Sequence, residues 1–445
     1  MATTAWPVEL ALGWTDDEIK NVVRLPGEPI PGLMDMRPGP AAEALERGLG
    51  EIFEPSDGVI AALRKIVDAM RSHLLRYYGD RGAYLRGINA KKSPLLEEDV
   101  IATCITGLQG VGKSALGRAL GRLMATRLVV EPGSGYPSVS FEMFWHVKAS
   151  TRTTLRSLLE DPLAGCLHNF NSLKQSGDFS ASVSRAAYRM GVLLAFLDEL
   201  QFLTQSENAN SLITKLLHGM RYLGLPLFYV TNYSVARRLL SRPPEDQYRL
   251  LANPIIVRPD VIDSKSSVDL DRQYTIVSNG ALLSKREALL EQMQEYTGGL
   301  HRAKIRLLSL AFKACRERSK NEVVSSLDLQ SAFRSVEYAN FRRDADILRK
   351  QAVTGTWVDR NYWCPFDTPG SPSPADSVRA NAEEKRRTQQ QALLASLKPD
   401  ETAKLKDLQH SEELPTKEPT ARRRPSATAD MLKQGHEFLQ SQKQR

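Results

Sequence analysis

A short glycine-rich segment constrains the fold of this 445-residue chain more than any other feature. Residues 107–114 read Gly-Leu-Gln-Gly-Val-Gly-Lys-Ser, which fits the pattern G-x-x-x-x-G-K-[ST]. An apolar run, Val100 to Thr106, precedes it, and a helical stretch, Ser114 to Thr126, follows it. In such a strand–loop–helix unit, backbone N–H groups and the helix N-terminus converge on phosphate oxygens. We therefore predict a phosphate-binding loop rather than a glycine-rich turn with an incidental lysine.

This loop predicts contacts to a nucleoside triphosphate and to its magnesium ion. Lys113 is expected to supply a positive charge at the β- and γ-phosphates, and the hydroxyl of Ser114 to ligate Mg²⁺. The residues expected to contact ATP are Gly107, Gln109, Gly110, Val111, Gly112, Lys113, Ser114 and Ala115. ATP and Mg²⁺ are thus the expected cofactors.

A second predicted strand ends in two carboxylates. The run Val192 to Leu197 is entirely apolar and is followed by Asp198 and Glu199. Placed beside the strand of the phosphate loop, Asp198 would hold a water on Mg²⁺, and Glu199 would orient and activate the attacking water. This pair favours an ATPase over a nucleotide kinase. The alternative is a strand that simply leaves the core through acidic residues.

Two further polar residues extend the predicted site. A third strand, Pro226 to Val230, leads to Asn232, whose amide is expected to reach between the acidic pair and the γ-phosphate, the sensor-1 role. Capping of the next helix is the alternative role of this asparagine. Arg302 lies close to the start of a later helix, where a sensor-2 cation would sit. A solvated surface arginine is the alternative there.

The pattern of strands and helices divides the chain into four parts. Strands alternate with helices over residues 56–260, which predicts an α/β domain with a parallel sheet flanked by helices, its second strand at Ser138–Phe141. Residues 261–362 are helical and predict a small C-terminal lid. Residues 1–55 are rich in proline and glycine and are expected to form an extended docking arm. Residues 363–445 are poor in core-forming side chains and predict a disordered tail.

The composition limits the cellular setting. The chain has 60 Lys and Arg against 52 Asp and Glu, and the net charge of +8 is compatible with a polyanionic partner. Its four cysteines include no C-x-x-C pair, which excludes a disulfide framework and a zinc ribbon. No apolar run approaches the roughly 20 residues of a membrane helix, and the first residues lack a signal-peptide pattern. We expect a cytoplasmic protein with no membrane partner.

The order of these elements resembles that of AAA+ ATPases: a phosphate loop, a strand ending in Asp-Glu, a strand ending in Asn and then a helical lid. More narrowly, several segments resemble the TnsC/TniB family of transposition regulators. These segments are 52–55 (Ile-Phe-Glu-Pro), 74–81 (Leu-Leu-Arg-Tyr-Tyr-Gly-Asp-Arg), 198–203 (Asp-Glu-Leu-Gln-Phe-Leu), 223–231 (Leu-Gly-Leu-Pro-Leu-Phe-Tyr-Val-Thr) and 321–329 (Asn-Glu-Val-Val-Ser-Ser-Leu-Asp-Leu). The long separation of Lys113 from Glu199 departs from a minimal AAA+ domain and predicts an insertion between Ala164 and Ser180.

A second departure concerns the arginine finger. No S-R-F motif of the kind found in these ATPases follows the third strand. Arg249 lies nearest the expected place and is the candidate that completes a neighbouring subunit's site. Arg237, Arg238 and Arg242 compete with it for this role.

The resemblance implies an oligomeric ATPase, a ring or filament on double-stranded DNA that links a target-selection protein to the transposase. Lys148, Arg152 and Arg156 recur at every fourth position on a predicted helix and are the candidate contacts to DNA phosphates. A solvated helix face is the alternative. Two other functions remain open, because both would use the same loop: a nucleotide-gated signalling or defence ATPase, and a replicative helicase loader of the IstB or DnaC kind.

Overall fold

A five-stranded parallel sheet carries the phosphate loop in the computed structural model of the chain. The structure describes residues 3–4, 13–97, 100–125, 129–131, 133, 135–149, 154–164, 178–201, 209–260, 265–282, 286–319 and 323–367. The strands in these ranges are β1 (Thr3–Thr4), β2 (Thr103–Gly107), β3 (Val129–Val130), β4 (Val139–Ser140), β5 (Met143–Lys148), β6 (Val192–Asp198), β7 (Leu227–Asn232) and β8 (Ile255–Val257). No helix of the described ranges is long and apolar enough to cross a membrane.

Helices surround the sheet and form the lid. Those before the lid are α1 (Asp16–Val23), α2 (Pro38–Glu51), α3 (Asp57–Tyr78), α4 (Arg81–Asn89), α5 (Lys113–Leu123), α6 (Leu155–Leu158), α7 (Glu160–Ala164), α8 (Phe179–Arg189), α9 (Ala209–Arg221), α10 (Tyr233–Leu240) and α11 (Pro244–Leu251). The lid contains α12 (Lys265–Val277), α13 (Arg286–Thr297), α14 (His301–Arg318), α15 (Ser326–Arg334) and α16 (Ala339–Thr354). Short 3₁₀ helices lie at Pro94–Glu97, Val336–Tyr338 and Arg360–Tyr362.

The strand order of the large sheet is β5-β6-β7-β2-β8, and every neighbouring pair is parallel. All seven residues of β6 are buried, as expected of a strand covered on both faces. Helices α3, α5 and α8 pack against this strand. The predicted fold class, an α/β fold in which helices flank a parallel sheet and a helical lid follows, is confirmed.

The strand that ends at Asp198 is not adjacent to the strand of the phosphate loop, so the predicted adjacency is wrong. Strand β7 lies between them and pairs with both. As a result, Asn232 is paired in register with Gly107. An apolar run indicates that a strand is buried on both faces but carries no mark of its neighbour, so the crossover connections decide the order.

The second strand of the large sheet also differs from the prediction. It is β5, which begins after Phe141, whereas Val139–Ser140 pairs antiparallel with β3 in a separate three-stranded sheet. Met143 has φ +58°, and the pairing of β5 with β6 is irregular between Met143 and Phe144. This kink lies at the start of β5, and the sequence predicted a strand only over the residues that form β4.

The proline-rich N-terminal residues form helices instead of the predicted extended arm. Thr15 and Glu18 form a capping box at the start of α1, which packs against α3 and α5. Helix α2 has Pro38 in its first turn, a favoured position because that N–H would lack a helical partner, and packs against lid helix α14. The prolines and glycines thus mark turns around two amphipathic helices, and residues 13–51 contact both the sheet domain and the lid.

We expect Leu45→Ala to destabilise the folded chain by about 2–5 kcal/mol. Leu45 on α2 is fully buried in a cluster that also contains Leu307 and Phe312 of the lid, so its truncation would leave a cavity. Urea unfolding followed by circular dichroism measures the change. Glu43→Ala, at an exposed position of the same helix, is the control and should change the free energy of unfolding by less than about 0.5 kcal/mol. If both variants change the free energy of unfolding equally, residues 1–55 would instead form the predicted docking arm.

The chain returns from the lid to the sheet domain before residue 367. The guanidinium of Arg237 on α10 donates to the carbonyl of Arg360. Arg258 forms a two-bond ion pair with Asp367, and Cys364 is buried nearby. The predicted start of a disordered tail at residue 363 is therefore wrong, because this segment has polar and apolar partners in the core.

Three predictions fall on parts of the chain that the structure does not describe. The remainder of the predicted tail, residues 368–445, is one of them. Residues 165–177 of the predicted insertion are another, and Arg152 is the third. Their structure stays a prediction.

Candidate functional site

The glycines of the phosphate loop are needed for its backbone shape. Gly110 and Gly112 have φ values of +83° and +95°, in the left-handed region that favours glycine. A Cβ at Gly107 would collide with the carbonyl oxygen of Val257 on the neighbouring strand. Helix α5 starts at Lys113, so its unpaired N–H groups face the loop. The loop has the geometry of a phosphate cradle.

Lys113 is buried inside this loop. Its Nζ donates hydrogen bonds to the carbonyl oxygens of Gly107 at 2.8 Å and of Leu108 at 2.6 Å. Burial lowers the pKa of this lysine to about 7; the charge of Asp198 opposes the shift and that of Arg302 adds to it. A bound polyphosphate would bring negative charge to the ammonium group and so favour its charged form.

Asp198 is a buried carboxylate at the end of β6 and is 2% exposed. Its Oδ1 accepts the N–H of Glu199 at 2.7 Å. Burial raises the pKa of this carboxyl, but His146, the Glu199 N–H and the Ser114 hydroxyl outweigh that effect and hold the pKa below its usual range. Asp198 is therefore ionised at neutral pH. Together with Ser114 it offers the hard oxygen ligands that Mg²⁺ prefers.

Glu199 has an uncommon backbone conformation. Its φ of +64° lies in the left-handed region, which non-glycine residues rarely adopt and which clusters at functional sites. The turn directs its N–H onto Asp198 and leaves the residue partly exposed. A strand that merely leaves the core has no need of this turn. The geometry therefore favours the functional interpretation of the acidic pair, while the role of Glu199 as the base stays a prediction.

Asn232 lies at the end of β7, between the loop strand and the strand of the acidic pair. It occupies the N-cap position of α10, but its side chain makes no capping hydrogen bond. The capping alternative is thus not the use of this amide. Its side chain is partly exposed at the edge of the sheet where the loop begins.

The lid contacts the loop through the first turn of α14. The N–H of Arg302 donates to the carbonyl of Gly110 at 3.2 Å. A Cβ on Gly110 would come within 3.4 Å of the Cβ of Arg302, so the two backbones are closely packed. The side chain of Arg302 is exposed, and its charge acts on Lys113. Arg302 thus lies beside the loop; its sensor-2 role stays a prediction.

His146 also lies at the site, although no sequence pattern predicted it. It lies on β5, and its Nε2 is 3.9 Å from Oδ2 of Asp198. That separation is too long for a hydrogen bond, so the ring acts on the carboxylate through its dipole or charge. The sequence gives only a weak indication of β5, because Met-Phe-Trp-His-Val-Lys is less apolar than the neighbouring strands.

The predicted helix that carries Lys148 together with Arg156 is wrong, while their contact with DNA stays a prediction. Lys148 is the exposed last residue of strand β5. Arg156 lies on the four-residue helix α6 and stacks on the ring of Phe179 at 5.0 Å. Strand β5 continues to Lys148 because this residue still pairs with Asp198 of β6. Lys148 is therefore not in the helix that a spacing of four residues assumed.

Arg249 is exposed on α11, as an arginine that acts on a neighbouring subunit must be. Its carbonyl accepts the N–H of Ala102, which holds the helix against the start of the loop strand. Two of its competitors have internal partners. Arg237 holds the C-terminal segment, and Arg242 pairs with Asp246 at 3.1 Å. This favours Arg249 over those two, although its role stays a prediction.

No protein-family model and no curated protein matches the sequence. Among solved structures, the chain is similar to the Orc1 protein of Aeropyrum pernix in complex with DNA, at 19% identity over 61% of this chain and 65% of that one, with a TM-score of 0.37. It is similar to Cdc6p of Pyrobaculum aerophilum at 14% identity over 52% and 59%, with a TM-score of 0.36. It is also similar to a Walker-type ATPase of Pyrococcus abyssi at 15% identity over 62% and 77%, with a TM-score of 0.37. The chain spans less than two thirds of the first two proteins, and its fold assignment rests on the strand order and the loop geometry.

Proposed function

We propose that the chain is a Mg²⁺-dependent ATPase. The observation that carries this proposal is the convergence of functional groups at one edge of the sheet. The loop with Lys113, the turn at Asp198 and Glu199, and Asn232 follow the carboxyl ends of three consecutive strands in the sheet order. The first turn of the lid touches the same loop at Gly110. Ligands of open α/β sheets bind at this edge.

The donor set suits a magnesium ion bound together with phosphates. Ser114 and Asp198 would hold it, and phosphate oxygens and water would supply its other ligands. When bound, the ion neutralises charge on the phosphates. Glu199 would orient the attacking water and accept its proton, and Asn232 would bind the γ-phosphate. Lys113 would exchange its carbonyl partners for phosphate oxygens.

We further propose that Arg249 completes the site of a neighbouring copy. Transition-state charge on the γ-phosphoryl group is commonly met by an arginine in trans, which contributes about 10³–10⁵ in rate. Hydrolysis per subunit is therefore expected to rise steeply with protein concentration. A constant rate per subunit from dilute to assembled protein would contradict this proposal.

Arg249→Ala is expected to suppress ATP hydrolysis by about 10³-fold while sparing ATP binding by the isolated subunit. Mixing it with Lys113→Ala provides the sharper test, because one variant keeps an intact loop and the other an intact finger. Mixed interfaces should recover part of the ATPase activity, measured as phosphate release across mixing ratios. If the variants co-assemble without recovery at any ratio, Arg249 does not belong to the site.

We propose that this ATPase regulates DNA transposition, assembling on duplex DNA when ATP is bound and linking a target-selection protein to the transposase. The support is the resemblance of segments such as 198–203 and 223–231 to TnsC/TniB proteins, together with the net charge of +8. Lys148, exposed at the end of β5, stays a candidate phosphate contact.

Binding to duplex DNA tests this proposal directly. Fluorescence anisotropy with a labelled duplex should show tight binding with Mg²⁺ and a nonhydrolysable ATP analogue and weak binding without nucleotide. Affinity should fall about tenfold or more between 50 and 200 mM salt and depend little on sequence. Negative-stain images under the same conditions would distinguish a ring from a filament. Nucleotide-dependent assembly that ignores DNA would instead favour the signalling or defence ATPase.

A further inference from the structure

The side chain of His146 is fixed between the sheet and the helix of the phosphate loop. Its ring packs edge-on against Phe196 of β6, with centroids 5.5 Å apart. It also lies against α5, because a Cβ added to Gly117 would be 3.3 Å from both Cε1 and Nε2 of the ring. These contacts leave the ring few alternative orientations.

The Nε2 atom of this ring is buried and has no hydrogen-bond partner among the described residues. Buried polar atoms almost always have a partner, so an exception calls for an explanation. Oδ2 of the Asp198 carboxylate lies 3.9 Å from this atom. A small shift of either side chain would close this gap to hydrogen-bond distance.

The carboxylate of Asp198 therefore has a different neighbour at each oxygen. Its Oδ1 accepts the N–H of Glu199, and its Oδ2 faces His146. We propose that His146 is a positioning residue, which holds the Asp198 carboxylate in the orientation needed to bind the hydrated magnesium ion of a nucleotide complex. This inference rests on the proposed ATPase function and deepens it.

The size of the effect expected on replacing His146 can be taken from metal sites in general. Residues that orient a ligand from the outer shell typically change metal affinity or activity by about 10- to 100-fold when they are replaced. His146 should therefore matter for nucleotide binding only when magnesium is present. A residue that merely fills space would affect binding with and without magnesium alike.

The experiment measures binding of a fluorescent nonhydrolysable ATP analogue to the full chain, with Mg²⁺ and with EDTA. His146→Phe keeps the ring packing but removes the polar atom, and it should reduce the Mg²⁺-dependent gain in affinity by about tenfold while leaving affinity in EDTA unchanged. Phe144→Leu is the matched control, because Phe144 stacks on the same ring with centroids 6.4 Å apart but has no polar atom to offer Asp198. It should keep the full gain.

A second pair of variants remains decisive if His146→Phe does not fold. The amide nitrogen of His146→Gln reaches about as far as Nε2 and should keep the gain, whereas His146→Asn is too short and should lose it. The inference is overturned if both His146→Phe and His146→Asn keep the Mg²⁺-dependent gain in nucleotide affinity. It is also overturned if the Gln and Asn variants lose that gain to the same extent. If the wild type itself shows no Mg²⁺-dependent gain, the proposed ATPase function fails, and the inference fails with it.

Discussion

Lys113→Ala is expected to abolish nucleotide-dependent assembly of the chain on DNA. A hydrogen bond to a charged group is worth about 1.5–3 kcal/mol, so loss of the ammonium group should weaken ATP binding by about 10- to 100-fold. The variant also loses the two bonds from Nζ to the carbonyls of Gly107 and Leu108 that tie the loop together. Titration with a fluorescent ATP analogue and anisotropy with labelled duplex DNA measure both effects.

The control for this prediction is Lys215→Ala, which removes an exposed lysine from helix α9. It makes the same change in net charge and should leave ATP affinity and assembly unchanged. Assembly of Lys113→Ala on DNA at ordinary ATP concentrations would contradict the proposed mechanism. Circular dichroism and a cooperative thermal transition establish that the variant is folded.

Glu199→Gln is expected to bind ATP with Mg²⁺ but to lose hydrolysis by about 10²–10⁴-fold, the usual contribution of a general base. Glutamine keeps the size of the side chain, and the N–H that Asp198 accepts belongs to the backbone, so the substitution should preserve the turn. Without hydrolysis the ATP-bound assembly should persist. Phosphate release measures the rate, and the lifetime of the DNA complex after dilution measures the trapped state.

Glu317→Gln, at an exposed position near the end of lid helix α14, is the matched control for the loss of one carboxylate. It should hydrolyse ATP at the wild-type rate. If Glu199→Gln does the same, Glu199 is not the base. A variant that also loses ATP binding would point instead to a structural role of Glu199 in the strained turn.

The sequence alone was sufficient to predict the parts of the site that depend on local chemistry. The loop from Gly107 to Ser114 could be recognised because only certain residue types allow backbone N–H groups to approach phosphate at a helix N-terminus. The buried strand before Asp198 was recognisable because a strand covered on both faces needs an unbroken apolar run. The helix near whose start Arg302 was placed begins at His301 in the structure.

Features that depend on which segments meet in space could not be predicted in this way. The position of β7 between the loop strand and the strand of Asp198 depends on crossover connections, which leave no mark in an apolar run. The residues of helix α2 were predicted to belong to a docking arm because the burial of this helix depends on a distant lid helix. The hydrogen bond between Glu46 and Arg306 illustrates this, since the two residues are 260 positions apart in the sequence.

The same distinction, between local sequence chemistry and tertiary contacts, applies to the residues of the site. Lys113, Ser114, Asp198 and Asn232 could be predicted as site residues because each ends or begins a recognisable element, and their roles stay predictions. The left-handed turn at Glu199 and the approach of His146 to Asp198 were decided by the tertiary structure. Backbone strain is imposed by surrounding contacts, and a histidine inside a strand gains its role only from the strand beside it. Sequence patterns report local backbone chemistry and burial, whereas the partner of a buried polar atom is set by packing between distant segments.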